Sequence, residues 1–595
     1  MAVSRDMEIA IIGAGLSGLV TAKTFLHDFS GSFDSVTVFE KASSLGGVWS
    51  SSRIYPGLSS NSPALTYEIP GFEYPQTLRK YGSHVKAEDI NAYLRAFVHA
   101  YHIEEHISFD SRVEDVSWNH QTKKWIIKGR SGTCCFEKAF SYVVICNGMY
   151  HEKRVPNVAE EWPGKIPAMY HSADVGDPSI RRALSASKHT LIVGAGKSAI
   201  DLATMIATAT WNPNSSGKPK VSLLYKRPHW LSPRAMLRGT VFFERLLFSR
   251  FLNAWLPFAR RPDWLHRWVA HSRMGQWMTE MIFAFVSDDF KKSCNQTDLP
   301  ETIPDHPMKE ALSGALHVVP NGYIDLVRSK RIRIIEGTMN SVCDGGVNIK
   351  MQNGNIRQLA VDHILFATGY KLAFPFFSPC TLDQLGLESA RKPQVDPNNL
   401  PSMKLYRLIV PPCTVTTHNP TQPHRNIAFN GFAYSLLNPA VCFVSAHWIA
   451  EYFLGQIPIP SLMEIQKDIE HFYAWQKSTF AAHGAKGVHI GPHATLYTDM
   501  LLEDMRVRIG HISGTMLNPV NLAKEWFRPM YPQIYAGLTE DRKRRDLQEA
   551  SAKLPRSKRR DQWQIRGILV ILSVAGLGAF VSVCWMAFIN LAKVT

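Results

Sequence analysis

Short apolar runs, glycine-rich turns and stretches of helical spacing alternate along the chain, the pattern of parallel strands joined by helices. Residues 8–12 form one such run. Gly13-Ala14-Gly15-Leu16-Ser17-Gly18 follows, and residues 19–25 continue at helical spacing. The next apolar run, 36–39, predicts a second strand that ends in Glu40. The same order returns later: a run at 190–193, then Gly194-Ala195-Gly196-Lys197-Ser198-Ala199, a helix from Ile200, and a strand at 221–225 that ends in Lys226-Arg227. No repeat is expected beyond these two βαβ halves. The last pattern differs in kind. Residues 567–589 are an uncharged apolar stretch, long enough to cross a bilayer as a helix.

Each glycine turn stands between a strand and a helix, where its residues have distinct physical tasks. Gly13 permits the tight turn, Gly15 lets a pyrophosphate reach the backbone, and Gly18 lets helix and strand pack closely. The free N–H groups of the helix start favour an anion. Glu40, 22 residues after Gly18, is placed to accept hydrogen bonds from ribose hydroxyls and would repel a 2′-phosphate. In the second turn Ala199 takes the place of the third glycine. Lys226 and Arg227 suit a 2′-phosphate, unless Arg227 merely faces solvent. An acid-ended and a base-ended strand in one chain point to hydride transfer from NADPH to FAD.

Composition narrows the partners. At 595 residues the chain exceeds one domain, and 45% apolar content is that of a globular protein. The net charge is 66 − 50 = +16, and residues 541–566 supply 10 − 4 = +6 of it, so no broad nucleic-acid face is expected. That basic segment adjoins the apolar run. By the positive-inside rule the run is a single-pass C-terminal anchor, with the catalytic part cytosolic. Trp563 and Trp585 fall at or near the two interfaces, and membrane lipid is an expected partner. Nine scattered cysteines without a C-x-x-C pair suit a reducing compartment and argue against a zinc site or a disulfide reductase. His102-Ile103-Glu104-Glu105-His106 fits a zinc-peptidase pattern but joins an expected helix end near Ala100 to a strand near Ile107. No metal is expected.

Further motifs carry a family resemblance: Leu45-Gly46-Gly47-Val48-Trp49, the segment Tyr55-Pro56-Gly57-Leu58-Ser59-Ser60-Asn61-Ser62-Pro63, residues 142–148 (YVVICNG), residues 362–370 (DHILFATGY), residues 426–431 and a helix at 446–454. Over residues 7–455 the chain resembles the flavin-containing monooxygenases and their Baeyer–Villiger and N-hydroxylating relatives. It departs from the family fingerprint at 165–171, where His171 is in place but Lys165, Pro167 and Val175 replace the expected residues. The resemblance implies an NADPH- and O2-dependent enzyme. It would insert one oxygen atom into a lipophilic small molecule through a flavin C4a-(hydro)peroxide shielded by bound NADP⁺. By that likeness Asn61 is the catalytic hydrogen-bond donor near the flavin, unless it only forms a turn before Pro63. Val48, Trp49, Ser60 and Val113 are implied at the FAD, though Trp49 and Val113 also suit core packing.

The expected architecture is α/β, with two Rossmann-like dinucleotide-binding domains, a helical insertion and a C-terminal transmembrane helix. Residues 1–165 and 331–455 would form the FAD domain. Residues 166–330 would bind NADPH and carry an aromatic helical insertion at 235–290. Residues 456–545 would be a helical extension and 546–566 a basic juxtamembrane linker. In residues 242–285, eleven of 44 positions are Phe or Trp with interleaved Arg, which suits either a bilayer-interface surface or an aromatic core over the site. N- or S-oxygenation is the leading function. Baeyer–Villiger oxygenation of a ketone or aldehyde is the second, and a membrane-tethered non-oxygenating flavoprotein the third. The endoplasmic reticulum is the expected membrane.

Overall fold

In a computed structural model of the chain, two parallel sheets are built to one plan. The structure describes residues 7–551, apart from 158–165, 209–219, 388–402, 416–423, 480–488, 508–525 and isolated positions within 238–263 and at 313. The first sheet runs, in spatial order, Ile427–Phe429, Tyr142–Ile145, Glu8–Ile12, Ser35–Phe39 and Ile107–Ser108, all parallel. The second runs Ala168–His171, His363–Phe366, His189–Val193, Lys220–Tyr225 and Ile332–Cys343, also parallel. Antiparallel strands Gly346–Met351 and Ile356–Ala360 extend it. Their inner residues are nearly all apolar, as expected where helices cover both faces.

The likeness of the halves goes further than the two βαβ units. In the first, the antiparallel meander Ser111–Asn119, Lys124–Ser131 and Cys134–Phe140 precedes the return strand Tyr142–Ile145. In the second, the hairpins from 332 to 360 precede the return strand His363–Phe366. Both return strands lie beside the glycine-turn strand and end at a backbone carbonyl that crowds the first glycine of that turn. The expectation of no repeat beyond the βαβ pairs is therefore corrected. So is the boundary at 330, because residues 332–366 complete the second sheet. Residues 102–106 are not a continuous helix: the helix ends at Ala100 and a single 3₁₀ turn covers Glu104–His106.

Residues 456–545 are not an appendage. The helices Leu462–Thr479 and Ala494–Asp504 share one apolar core with the first sheet and the helix Asn438–Phe453. Buried ions fasten them. Arg407 forms a two-toothed pair with Asp504 (2.7 and 2.9 Å) and a third bond to Asp468 (3.0 Å). Glu451 receives Arg542 (2.7 Å) and Arg545 (2.9 Å) from the helix Leu538–Ser551. The aromatic insertion contributes Phe248 and Phe258 to that same core, while Met274, Trp277, Met281 and Phe285 lie exposed along the helix Arg273–Ser293. The aromatic-core reading holds for Phe248 and Phe258, and the second face is exposed.

Among the described residues no helix is long and apolar enough to cross a membrane. The apolar run at 567–589, most of the basic linker, and Lys165 lie outside the described residues.

Burial lowers His84 and His447 to about 4 and His493 to about 3. An unfolded chain takes up protons at these rings near pH 6.5, while the folded one does not. Stability is therefore expected to fall as pH drops from about 6.5 toward 4. Unfolding midpoints across that range check this, and His447→Gln should flatten the slope.

Candidate active site between the two glycine turns

The first turn is shaped by contacts that only glycine allows. Gly13 has φ +109°, and a Cβ there would lie 2.6 Å from the Cys146 carbonyl oxygen. A Cβ on Gly18 would sit 1.8 Å from the Gly13 carbonyl oxygen, so helix and strand touch through backbone. Gly15 is different: the nearest atom to its Cβ is Gly47 Cα at 3.7 Å, which leaves a shallow cradle between two bare backbones. Gly13, Gly15 and Leu16 keep accessible surface there, while Ala14, Ser17 and Gly18 are buried beneath. Asn147, touching Gly13, has a buried Oδ1 with no protein partner.

The Glu40 carboxylate is buried and already engaged: Oε2 accepts from Ala14 N (2.8 Å) and Oε1 from Ala42 N (2.9 Å). It braces the turn, and each oxygen keeps a lone pair for a ribose hydroxyl. Val113 lies on the meander beside a bulge at 114, half-buried. These residues fit the adenosine and pyrophosphate of FAD.

The second turn repeats the arrangement. Gly194 has φ +138°, and its Cβ would meet the Ala367 carbonyl oxygen at 2.3 Å. Gly196 has no atom within 4 Å of its Cβ position, and residues 194–198 all keep accessible surface. Ala199 is fully buried, as a third-glycine substitute should be. Lys226 and Arg227 are exposed just past the strand Lys220–Tyr225. Together these residues fit the pyrophosphate and 2′-phosphate of NADPH. Lys197 is the exception. Its ammonium is held by Asp201 one turn on (2.5 and 2.6 Å), so it stabilises the helix start rather than standing free for a phosphate. Burial raises Asp201 to about 6, with Lys197 opposing.

The chain from Gly47 to Asn61 runs from one turn to the other. Gly47 faces Gly15. The 3₁₀ turn Gly47–Trp49 then carries Val48 and Trp49, both half-buried, and the Trp49 indole donates to Tyr67 Oη (2.9 Å). Farther along, Tyr55 is buried in the second domain's core, its hydroxyl beside Ser198 and Asp201. Ser60 is turned inward, its Oγ donating to Ser62 O (2.6 Å) and accepting from Val85 N (3.1 Å). The Ser60 hydroxyl thus holds the loop.

Asn61 ends the crossing. Its Nδ2 donates to Leu316 O (3.1 Å), and its Oδ1 accepts from Val318 N (2.9 Å). The amide is clamped to a strand of the second domain, with one N–H still available. Asn61→Ala should keep FAD but loosen this junction, lowering product yield per NADPH at least tenfold, since a lost hydrogen bond at a pre-organised donor costs about 3 kcal/mol. Asn61→Asp should fare no better, because a carboxylate would face the Leu316 carbonyl.

Several tyrosines lie along this loop and its neighbours. Tyr67, Tyr150, Tyr370 and Tyr434 are half-buried, and burial raises the phenols of Tyr67, Tyr150 and Tyr434. Tyr150 stands edge-on to Tyr370 and Tyr434. Arg53 donates to Tyr150 O and Tyr370 Oη (both 2.9 Å). His489, from beyond residue 455, packs edge-on against Tyr434. Tyr370 alone closes a recognisable motif; the others come from loops without periodicity. His171 stays within the second domain. Its Nε2 donates to Gly369 O (3.0 Å) and its Nδ1 accepts from Ala173 N (3.1 Å), a linker's role.

The sequence model of the flavin-binding monooxygenase-like family matches residues 6–471, and the chain belongs to that family. It is an FAD-dependent monooxygenase, an oxidoreductase that uses FAD and NADPH with O2 on a small molecule. Among curated relatives, the FAD-dependent monooxygenase DEP4 of Fusarium langsethiae is 23% identical, over 90% of this chain and 95% of its own. Among solved structures, S-allyl-L-cysteine S-oxygenase from Allium sativum superposes with TM-score 0.51 at 20% identity, covering 91% and 93% of the two chains. Cyclohexanone monooxygenase from Rhodococcus sp. Phi1 bound to NADP⁺ gives 0.55 at 15%, covering 83% and 96%.

Proposed function

We propose that this monooxygenase transfers one oxygen atom of O2 to a nitrogen or sulfur atom of a lipophilic small molecule. The observation that carries this reading is the crossing loop from Gly47 to Asn61. It runs from the first glycine turn to the second domain along aromatic side chains, with Trp49 on Tyr67 and Arg53 on Tyr150 and Tyr370, and these apolar surroundings suit a lipophilic substrate. When bound, the flavin supplies the oxygen chemistry. The chain's own residues bind and orient. Gly13 to Gly18, Gly47 and Glu40 hold FAD. Gly194, Gly196, Ser198, Lys226 and Arg227 hold NADPH. Asn61 presents a fixed N–H.

Incubation with NADPH, isotopically labelled O2 and either a thioether or a cyclic ketone tests the reading. Labelled sulfoxide with untouched ketone is the expected result. Labelled ester would replace it with Baeyer–Villiger oxygenation. Arg227→Ala should raise KM for NADPH and leave that for NADH unchanged.

The body is held to a bilayer by residues 567–589 and faces the cytosol at the endoplasmic reticulum. The neighbouring basic segment and the exposed stripe Met274, Trp277, Met281 and Phe285 support this. Release of the full chain from membranes by alkaline carbonate would overturn it.

A further inference from the structure

The strand Leu316–Val318 presents two edges. One pairs in parallel with Trp230–Ser232, through Trp230 N to Ala315 O (3.0 Å) and Val319 N to Ser232 O (3.1 Å). The other offers Leu316 O and Val318 N, and the Asn61 carboxamide fills it as a neighbouring peptide group would, with one donor and one acceptor. The strand that fixes Asn61 therefore belongs to a sheet of two short strands, too small to hold its own register.

A side-chain bond reinforces it. His317, buried in the middle of that strand, places Nε2 2.9 Å from Nδ1 of His229. His229 immediately precedes the partner strand and stands two residues past Arg227. One ring donates and the other accepts. A continuous path of hydrogen bonds and backbone then runs from the base-ended strand, through His229 and His317, to the strand that clamps Asn61. The same segment comes close to His489 and Tyr434 at its start, where a Cβ on Gly314 would lie 3.4 Å from His489 Cε1 and 3.5 Å from Tyr434 Cε1.

We propose that His317 is a positioning residue: its hydrogen bond to His229 locks the strand that orients Asn61 to the chain end that reads the 2′-phosphate of NADPH. The proposal rests on the assignment of Lys226-Arg227 and Asn61 given above. Nucleotide bound at the second turn then sets the orientation of the Asn61 amide through this strand.

The test uses the full-length, FAD-loaded protein. FAD content, the NADP⁺-induced change in the flavin visible spectrum, and product formed per NADPH are measured for His317→Ala, His317→Gln, His229→Ala and the double alanine variant. His317→Ala should retain FAD, weaken the NADP⁺ titration about tenfold, as loss of one partner of a buried hydrogen bond does, and divert NADPH to hydrogen peroxide. His229→Ala should match it, and the double variant should add nothing, because both changes break one bond. His317→Gln, whose amide reaches the same position, should restore most of the response. Additive losses in the double variant, or an unchanged titration in both single variants, would overturn the proposal. Wild-type protein that shows the spectral response but makes no oxygenated product would sink the proposed function and leave the positioning role standing.

Discussion

Replacing Gly194 by Ala is expected to leave FAD bound and to lower its reduction by NADPH by two orders of magnitude or more. At φ +138° a side chain is strained, and its Cβ would meet the Ala367 carbonyl oxygen at 2.3 Å. Strain and overpacking together cost about 2–6 kcal/mol, concentrated at the strand-to-helix corner of the second sheet. The first turn is on another sheet, so flavin content and absorbance should match wild type. Anaerobic mixing with NADPH measures the loss. Gly196→Ala makes the control sharper. Its Cβ would meet nothing within 4 Å, so the fold should be intact and any loss of reduction reports only the approach of pyrophosphate. Loss of FAD in Gly194→Ala would contradict the separation of the two sites.

Removing the Arg407 guanidinium should lower stability more than any surface change. Arg407 is buried, and it sits at φ +57° beside Leu408 at φ +56°, a left-handed pair maintained by the surrounding bonds. Its guanidinium is held by Asp504 and Asp468, and its carbonyl accepts from Tyr497 Oη (2.6 Å). In Arg407→Ala the Asp504 carboxylate keeps, among the described residues, only the Trp448 indole (3.1 Å). Breaking such a buried pair from one side costs about 3–5 kcal/mol. The unfolding midpoint should fall by several degrees, and protease should cut first within 462–504. An Arg407→Ala protein as resistant as wild type would show that the extension is held by apolar packing alone.

The sites bear on each other through loops rather than through regular elements. That explains what could be read in advance. Both glycine turns, Glu40, and Lys226-Arg227 were legible because a short parallel strand, a turn and a helix impose a local order on residue types. Lys197 lies in the second glycine turn, and Asp201, one helical turn away, holds its ammonium. Ser60 is implied at the FAD, and its hydroxyl closes a turn. In each case the residue was in the right place, and a neighbour decided where its polar atom points.

By itself the sequence determined the class of fold and the two dinucleotide cradles with their opposite charge at the strand ends. These follow from short-range sterics: φ beyond +100° at Gly13 and Gly194, and bare backbone at Gly18, leave no other residue type possible. Only the tertiary structure decided that residues 332–366 finish the second sheet, that the helices after 455 join the core, and that Tyr150 packs edge-on against Tyr370 and Tyr434. It also decided that Asn61 is clamped to a strand some 250 residues away, a separation that no periodicity encodes. Those outcomes depend on which surfaces meet when separate elements bury their apolar faces together.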